Sequence, residues 1–123
     1  MAFKLGSEKR GIRTFNGAPV LKRNMGAGIL AEANKDGTIF VHPDLDECSR
    51  LYRETMNHEY KHLEDMADGK LDYNDNYVRW KGQTAPRKDI NGVDSVKWNG
   101  VWREVGSDEL PWEQDALRAE HRA

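Results

Sequence analysis

Apolar positions along the chain fall into two rhythms, and the change from one to the other marks its elements. From Leu45 to Met66 they recur three and four residues apart, at Leu45, Cys48, Leu51, Tyr52, Thr55, Met56, Leu63 and Met66. That is the period of a helix with one side turned to a core. Pro43 stops whatever precedes it, Asp44 or Asp46 stands ready to cap the first amides, and Gly69 follows the last apolar position, so the spacing predicts a helix over about 45–68. A second helix is predicted from Pro111 to Glu120, capped by Ser107 or Asp108, with Trp112, Ala116 and either Ala119 or Leu117 on its inner face.

Shorter runs fill the rest. Gly28 to Ala33 and Thr38 to His42 flank Asn34-Lys35-Asp36-Gly37, whose Asp-Gly end supplies the positive φ of a hairpin loop. Tyr77 to Trp80 reads as a strand, and Ser95 to Trp98 and Val101 to Val105 make a hairpin across Asn99-Gly100. Asp72 to Asn76 is too polar for regular structure, and Gln83 to Lys88, interrupted by Pro86, reads as an irregular return. Residues 1–24 are expected to be loosely structured, with at most one strand near Ile12 to Phe15 or Val20 to Lys22. Tyr77, Trp80, Trp98 and Trp102 are expected to pack on a sheet face. The predicted architecture is α+β: one domain over 1–123, with a small, mostly antiparallel sheet, a long helix and a C-terminal helix.

Composition narrows the setting. Hydrophobic residues make up 37% and charged residues 33%, with a mean hydropathy of -0.89, so the core must be small. Nineteen basic against 21 acidic residues, interspersed, leave a net charge of -2. Bulk electrostatics therefore attracts neither nucleic acid nor an anionic membrane. Cys48 is the only cysteine, so no internal disulfide forms. Met1 to Arg10 lacks an apolar signal core and no segment matches a membrane span. A cytoplasmic protein is expected, although a short chain can also travel inside a larger particle.

The chemistry concentrates in the long helix, at His58-Glu59-Tyr60-Lys61-His62. Residues four apart on a helix are only about 40° out of line, so both imidazoles leave one face, one turn apart. Zinc suits such a pair: it accepts imidazole nitrogens in tetrahedral geometry and keeps a position open when the protein supplies three ligands. Glu59, beside the first histidine, points toward where a zinc-bound water would sit and can act as general base. The plain alternative is an apolar stripe of Leu51, Thr55, His58, His62 and Met66 whose histidines pack in the core.

A third ligand is needed. Cys48 lies ten residues before His58 on the same helix, about 15 Å away, and cannot reach. His121 stands near the end of the sequence, and Asp65 and Asp68 read as charges on a solvated helix end. Glu113, in the first turn of the last helix behind Pro111-Trp112, is the best placed, with Ala116 allowing close helix approach. Its ordinary role would be to complement the helix dipole, and Glu109, Asp115 and Glu120 remain open as alternatives.

A helix bearing His58-Glu59-x-x-His62, a preceding hairpin and a later helix offering Glu113 resemble the gluzincin branch of zinc metallopeptidases. The short length is similar to that of minigluzincins and of small zincin-like peptidases of phages and bacteria. The likeness spans roughly residues 25–120, its specific part six positions. It implies a Zn2+ enzyme with His58, His62 and Glu113 as ligands, Glu59 as base and acid, and a peptide or protein substrate cut by endopeptidase rather than exopeptidase action. It further implies that Ile39, Phe40 and Val41 form an edge strand on which an extended peptide pairs. His42, Tyr73 or Tyr77 would stabilise the oxyanion. Several gluzincins place Asp four residues after the ligand glutamate; here that position is Leu117, so the support of the ligands is unassigned. Two other expectations stand beside this one. One is a non-catalytic protein, such as a phage-particle component, in which zinc joins two helices. The other is a latent peptidase with residues 1–24 lying across its cleft.

Overall fold

The structure, a computed structural model, describes residues 13–122. It is α+β, with two helices and two mostly antiparallel sheets rather than the single sheet expected. Strands β1 (Arg13–Phe15), β2 (Ala18–Lys22), β3 (Ala31–Ala33) and β4 (Ile39–Val41) form a four-stranded sheet in the order β1-β2-β4-β3. Helix α1 (Arg50–Ala67) follows, then a five-stranded meander of β5 (Leu71–Asn74), β6 (Tyr77–Trp80), β7 (Gln83–Ile90), β8 (Val93–Trp98) and β9 (Val101–Glu104). Helix α2 (Pro111–Ala119) is the last element.

The smaller sheet corrects two expectations. Residues 13–22 form two strands, not at most one, because Asn16-Gly17 adopts the paired positive φ values (50° and 88°) of a tight hairpin turn. They lie in the sheet on the far side of β4 from β3, so this part of the N-terminal segment does not cover a cleft beside β3; residues 1–12 lie outside the described residues. The second correction concerns Ile39, Phe40 and Val41. β4 pairs in parallel with β2 on one side and antiparallel with β3 on the other. Both its backbone edges are filled, so no peptide can pair there, and the edge strand is β3. Asn34 N–H donates to Thr38 O and His42 N–H to Leu30 O across this ladder. By antiparallel alternation, Ala31 and Ala33 between them turn their backbone groups outward.

Helix α1 starts later than the spacing suggests. Its cap is Ser49, whose Oγ accepts the Tyr52 N–H at 3.0 Å, while Asp46 accepts the Cys48 N–H in the turn before it. Gly69, at φ 77°, ends it as expected, its N–H donating to Met66 O. One side of α1 buries Met56 completely against Val20, Ile39 and Val41, with Tyr52, Tyr60 and Leu63 around them.

The meander corrects two more expectations. Leu71–Asn74 is a regular strand whose alternation turns Leu71 inward and leaves polar residues outward. Gln83–Ile90 is the longest strand despite Pro86. That proline is the last residue paired to β6, and Arg87 is the first paired to β8, so its missing N–H falls where β7 changes partners. Beneath lies the second core cluster: Leu71, Val78, Trp80, Ala85, Val96, Leu110 and Trp112. Trp112 stands edge-on to Trp98, ring centroids 5.2 Å apart, and 6.2 Å from Trp80. Helix α2 has no side-chain cap; Pro111 opens it and Leu110 is its N-cap residue, fully buried. Trp112, Ala116 and Ala119 face inward and Leu117 stays exposed. No helix among the described residues is long and apolar enough to cross a membrane.

Candidate metal centre

The two helices meet at the histidine pair. His58 and His62 stand edge to face with ring centroids 5.0 Å apart, as one turn of helix requires. Their Nε2 atoms lie 2.8 and 3.2 Å from the same oxygen, Oε1 of Glu113. One donor atom from each residue falls within 4.8 Å of the others, so two imidazole nitrogens and a carboxylate could together hold a metal ion. Glu113 reaches this point because Trp112, buried among Trp80 and Trp98, fixes the first turn of α2. Ala116, with no exposed surface, fits the inner face of α2 next to α1.

The other nitrogen of His58 also has a partner. Nδ1–H donates to Glu120 Oε2 at 2.7 Å. Glu120 lies two helical turns after Glu113 and so on the same face of α2. It bonds the far nitrogen of His58 and stands outside the donor group of His58, His62 and Glu113. The end of α2 is tied down for this by Asn57, whose amide donates to Glu120 O at 3.3 Å and to Arg122 O at 3.1 Å, and by an Arg122–Glu64 ion pair. Neither Glu120 nor Asn57 is evident from composition, although the seven-residue spacing from Glu113 points to the first.

Charge follows geometry. Burial pulls the His58 imidazole down, but the carboxylates of Glu113, Glu59 and Glu120 outweigh it and hold it at about 9. Burial pushes Glu113 up, against hydrogen bonds from both histidines that bring it down to about 2. Without a metal, an imidazolium and a carboxylate meet where the three donors could hold an ion. Glu59 differs: burial raises it to about 7 against the opposing pull of His62, His58 and, more weakly, the backbone N–H of Ala33 on the edge strand. A carboxyl near 7 can both take and give a proton at neutral pH.

These groups open into a cleft of about 620 Å³ between β3, α1 and the meander, floored by Met66, Leu71, Val78 and Trp112. Tyr73 is the one of the three proposed oxyanion residues that lines it, with its hydroxyl donating to Ala33 O at 2.8 Å. His42 instead accepts the Asp44 N–H through Nδ1, and the Tyr77 hydroxyl donates to Asp72, so both are spent away from the cleft. Cys48 and His121 are exposed and outside the donor group. Glu109 is taken by Arg103 and Asp115 by Arg118. Asp65 corrects the reading of a solvated helix end: it has no exposed surface and pairs with Lys61 at 2.8 Å.

Compared with protein-family models, curated proteins and solved structures, the chain matches none.

Proposed function

We propose that the protein is a zinc-dependent peptidase that hydrolyses peptide bonds within a chain, with His58, His62 and Glu113 as metal ligands and Glu59 as the proton carrier. The observation that carries the reading is the convergence of three donor atoms in the wall of a cleft that a partly buried carboxylate of raised pKa also lines. Zinc in such a site supplies Lewis acidity and makes a water acidic enough to deprotonate near neutral pH. Glu59 takes the proton from the attacking water and hands it to the leaving amine, a double task suited to its value near 7. Glu120 holds His58 with Nδ1 protonated, which keeps Nε2 free as a ligand. An extended substrate has the outward-facing groups of β3 at Ala31 to pair with, in place of the filled edges of β4.

Zinc content and peptide turnover, measured on wild type and Glu59→Gln, test this. Stoichiometric zinc with turnover abolished only in the variant is the expected result; equal turnover in both would remove the catalytic assignment. A second reading, zinc as a staple between α1 and α2 in a structural or particle-associated protein, draws on the fact that the donors come from both helices. It predicts a fourth protein ligand, and no fourth His, Cys, Asp or Glu joins the donor group among the described residues.

A further inference from the structure

The two imidazoles are supported unequally. His58 uses both ring nitrogens, whereas His62, 8% exposed, uses only Nε2, and its Nδ1 is buried without a hydrogen-bond partner. Among the described residues one other buried side-chain polar atom shares that condition: Oδ2 of Asp65. Asp65 lies three residues after His62 on α1, about 60° around the helix axis, on the side that carries both histidines. A completely buried carboxylate accepts hydrogen bonds through two oxygens. Lys61 occupies Oδ1 at 2.8 Å and leaves Oδ2 free. A buried ring nitrogen and a buried carboxylate oxygen, each left without a partner, both carry a desolvation cost that a bond between them would remove.

We infer that Asp65 is the positioning residue of His62, accepting its Nδ1–H when Nε2 is committed to the metal. This rests on the metal-ligand reading above and deepens it. Each ligand imidazole then has its own carboxylate: Glu120 from α2 for His58, and Asp65 from the same helix for His62. The arrangement fixes both tautomers with Nε2 unprotonated and makes both rings more basic ligands. Lys61 in turn holds the other oxygen of Asp65 at 2.8 Å, which leaves Oδ2 to turn toward the ring.

The test measures the zinc dissociation constant by chelator competition for wild type, Asp65→Asn, Asp65→Leu and Lys61→Met. It is joined by proton–nitrogen spectra of the imidazole rings in the zinc-loaded protein. Expected are a downfield, exchange-protected Nδ1–H on His62 in wild type, and zinc binding weakened by about 10–100-fold in Asp65→Leu. Asp65→Asn, which retains one acceptor oxygen, should fall between, and Lys61→Met should weaken zinc less than either. If the leucine variant does not fold, the asparagine variant and the ring spectra decide. Asp65 variants that lose thermal stability but keep the wild-type zinc constant would overturn the assignment, as would a Lys61→Met loss equal to that of Asp65→Asn. Wild type that binds no zinc at all would overturn the metal reading and this inference together.

Discussion

The sheets on either side of the cleft are built differently and serve the site differently. The four-stranded sheet has strands of three to five residues and joins β2 to β4 in parallel, so its order depends on contacts between distant parts of the chain. The meander is local: each strand pairs with the next, and Lys81-Gly82, Asn91-Gly92 and Asn99-Gly100 turn the chain with paired positive φ values. Through Trp112 the meander fixes Glu113, a ligand candidate, and through the edge of β3 the smaller sheet orients Glu59. Metal binding should therefore depend on one side of the cleft and proton transfer on the other.

Glu59→Gln breaks that division most directly. Turnover of a peptide should fall about 10²–10⁴-fold while bound zinc, counted by atomic absorption, stays stoichiometric. Loss of zinc with the activity would join the two halves that the comparison separates. Next in size is a pair of core truncations. Trp112→Ala should cost about 3–5 kcal/mol and Ile39→Ala about 2–5 kcal/mol in denaturant unfolding. Only the tryptophan change should also weaken zinc binding in the folded protein, because only that residue holds the first turn of α2.

Charge separates the halves by pH. In chelated protein His58 sits at about 9 against an ordinary 6.5, so its contribution is complete below pH 6.5 and is lost as pH rises through 9. Glu59, raised to about 7 from 4.5, destabilises progressively between those values. Glu113, lowered to about 2 from 4.5, contributes above 4.5 and loses its effect as pH falls through 2. Metal-free protein should thus be most stable near pH 4.5 and lose melting temperature steadily up to pH 9. Saturating zinc should cancel or reverse that decline, because a bound ion holds both imidazoles neutral. A flat metal-free profile over this range would contradict the charge state assigned to the site. Smaller again, Glu120→Ala should weaken zinc by about 10–100-fold, measured by chelator competition, with the Glu59 proton still in place.

How far these features could be read from the sequence follows the same division. The His58-Glu59-x-x-His62 helix and its stop at Gly69 are local patterns, and the structure has them. Asn99-Gly100 announces its hairpin, and the same dipeptide at Asn16-Gly17 and Asn91-Gly92 makes two more. Glu113 is legible because proline and tryptophan mark a helix start. Other features depend on partners that spacing does not name. β5 and β7 look irregular because strands whose outer face is wet carry polar residues, and Pro86 is tolerated only where β7 changes neighbours. The identity of the edge strand turns on β2 crossing to pair with β4, a contact no local pattern announces. Asp65 looks solvated until tertiary packing buries it.

The smallest effect concerns the bond that joins the two sides. The Tyr73 hydroxyl, on β5 of the meander, reaches across the cleft to Ala33 O, while the N–H of the same Ala33 faces Glu59. The outward-facing carbonyl of that residue is therefore occupied before a substrate arrives. Tyr73→Phe removes one neutral hydrogen bond and should cost about 1 kcal/mol of stability, a loss visible in denaturant unfolding. It frees Ala33 O to accept a substrate N–H, so KM for an extended peptide should fall even as stability drops. If kcat falls with KM unchanged, the hydroxyl acts on the reacting carbonyl instead, and the tie between the sheets is secondary to that chemistry. If neither constant moves, the edge of β3 at Ala33 takes no part in substrate pairing, and the smaller sheet serves the site only by orienting Glu59.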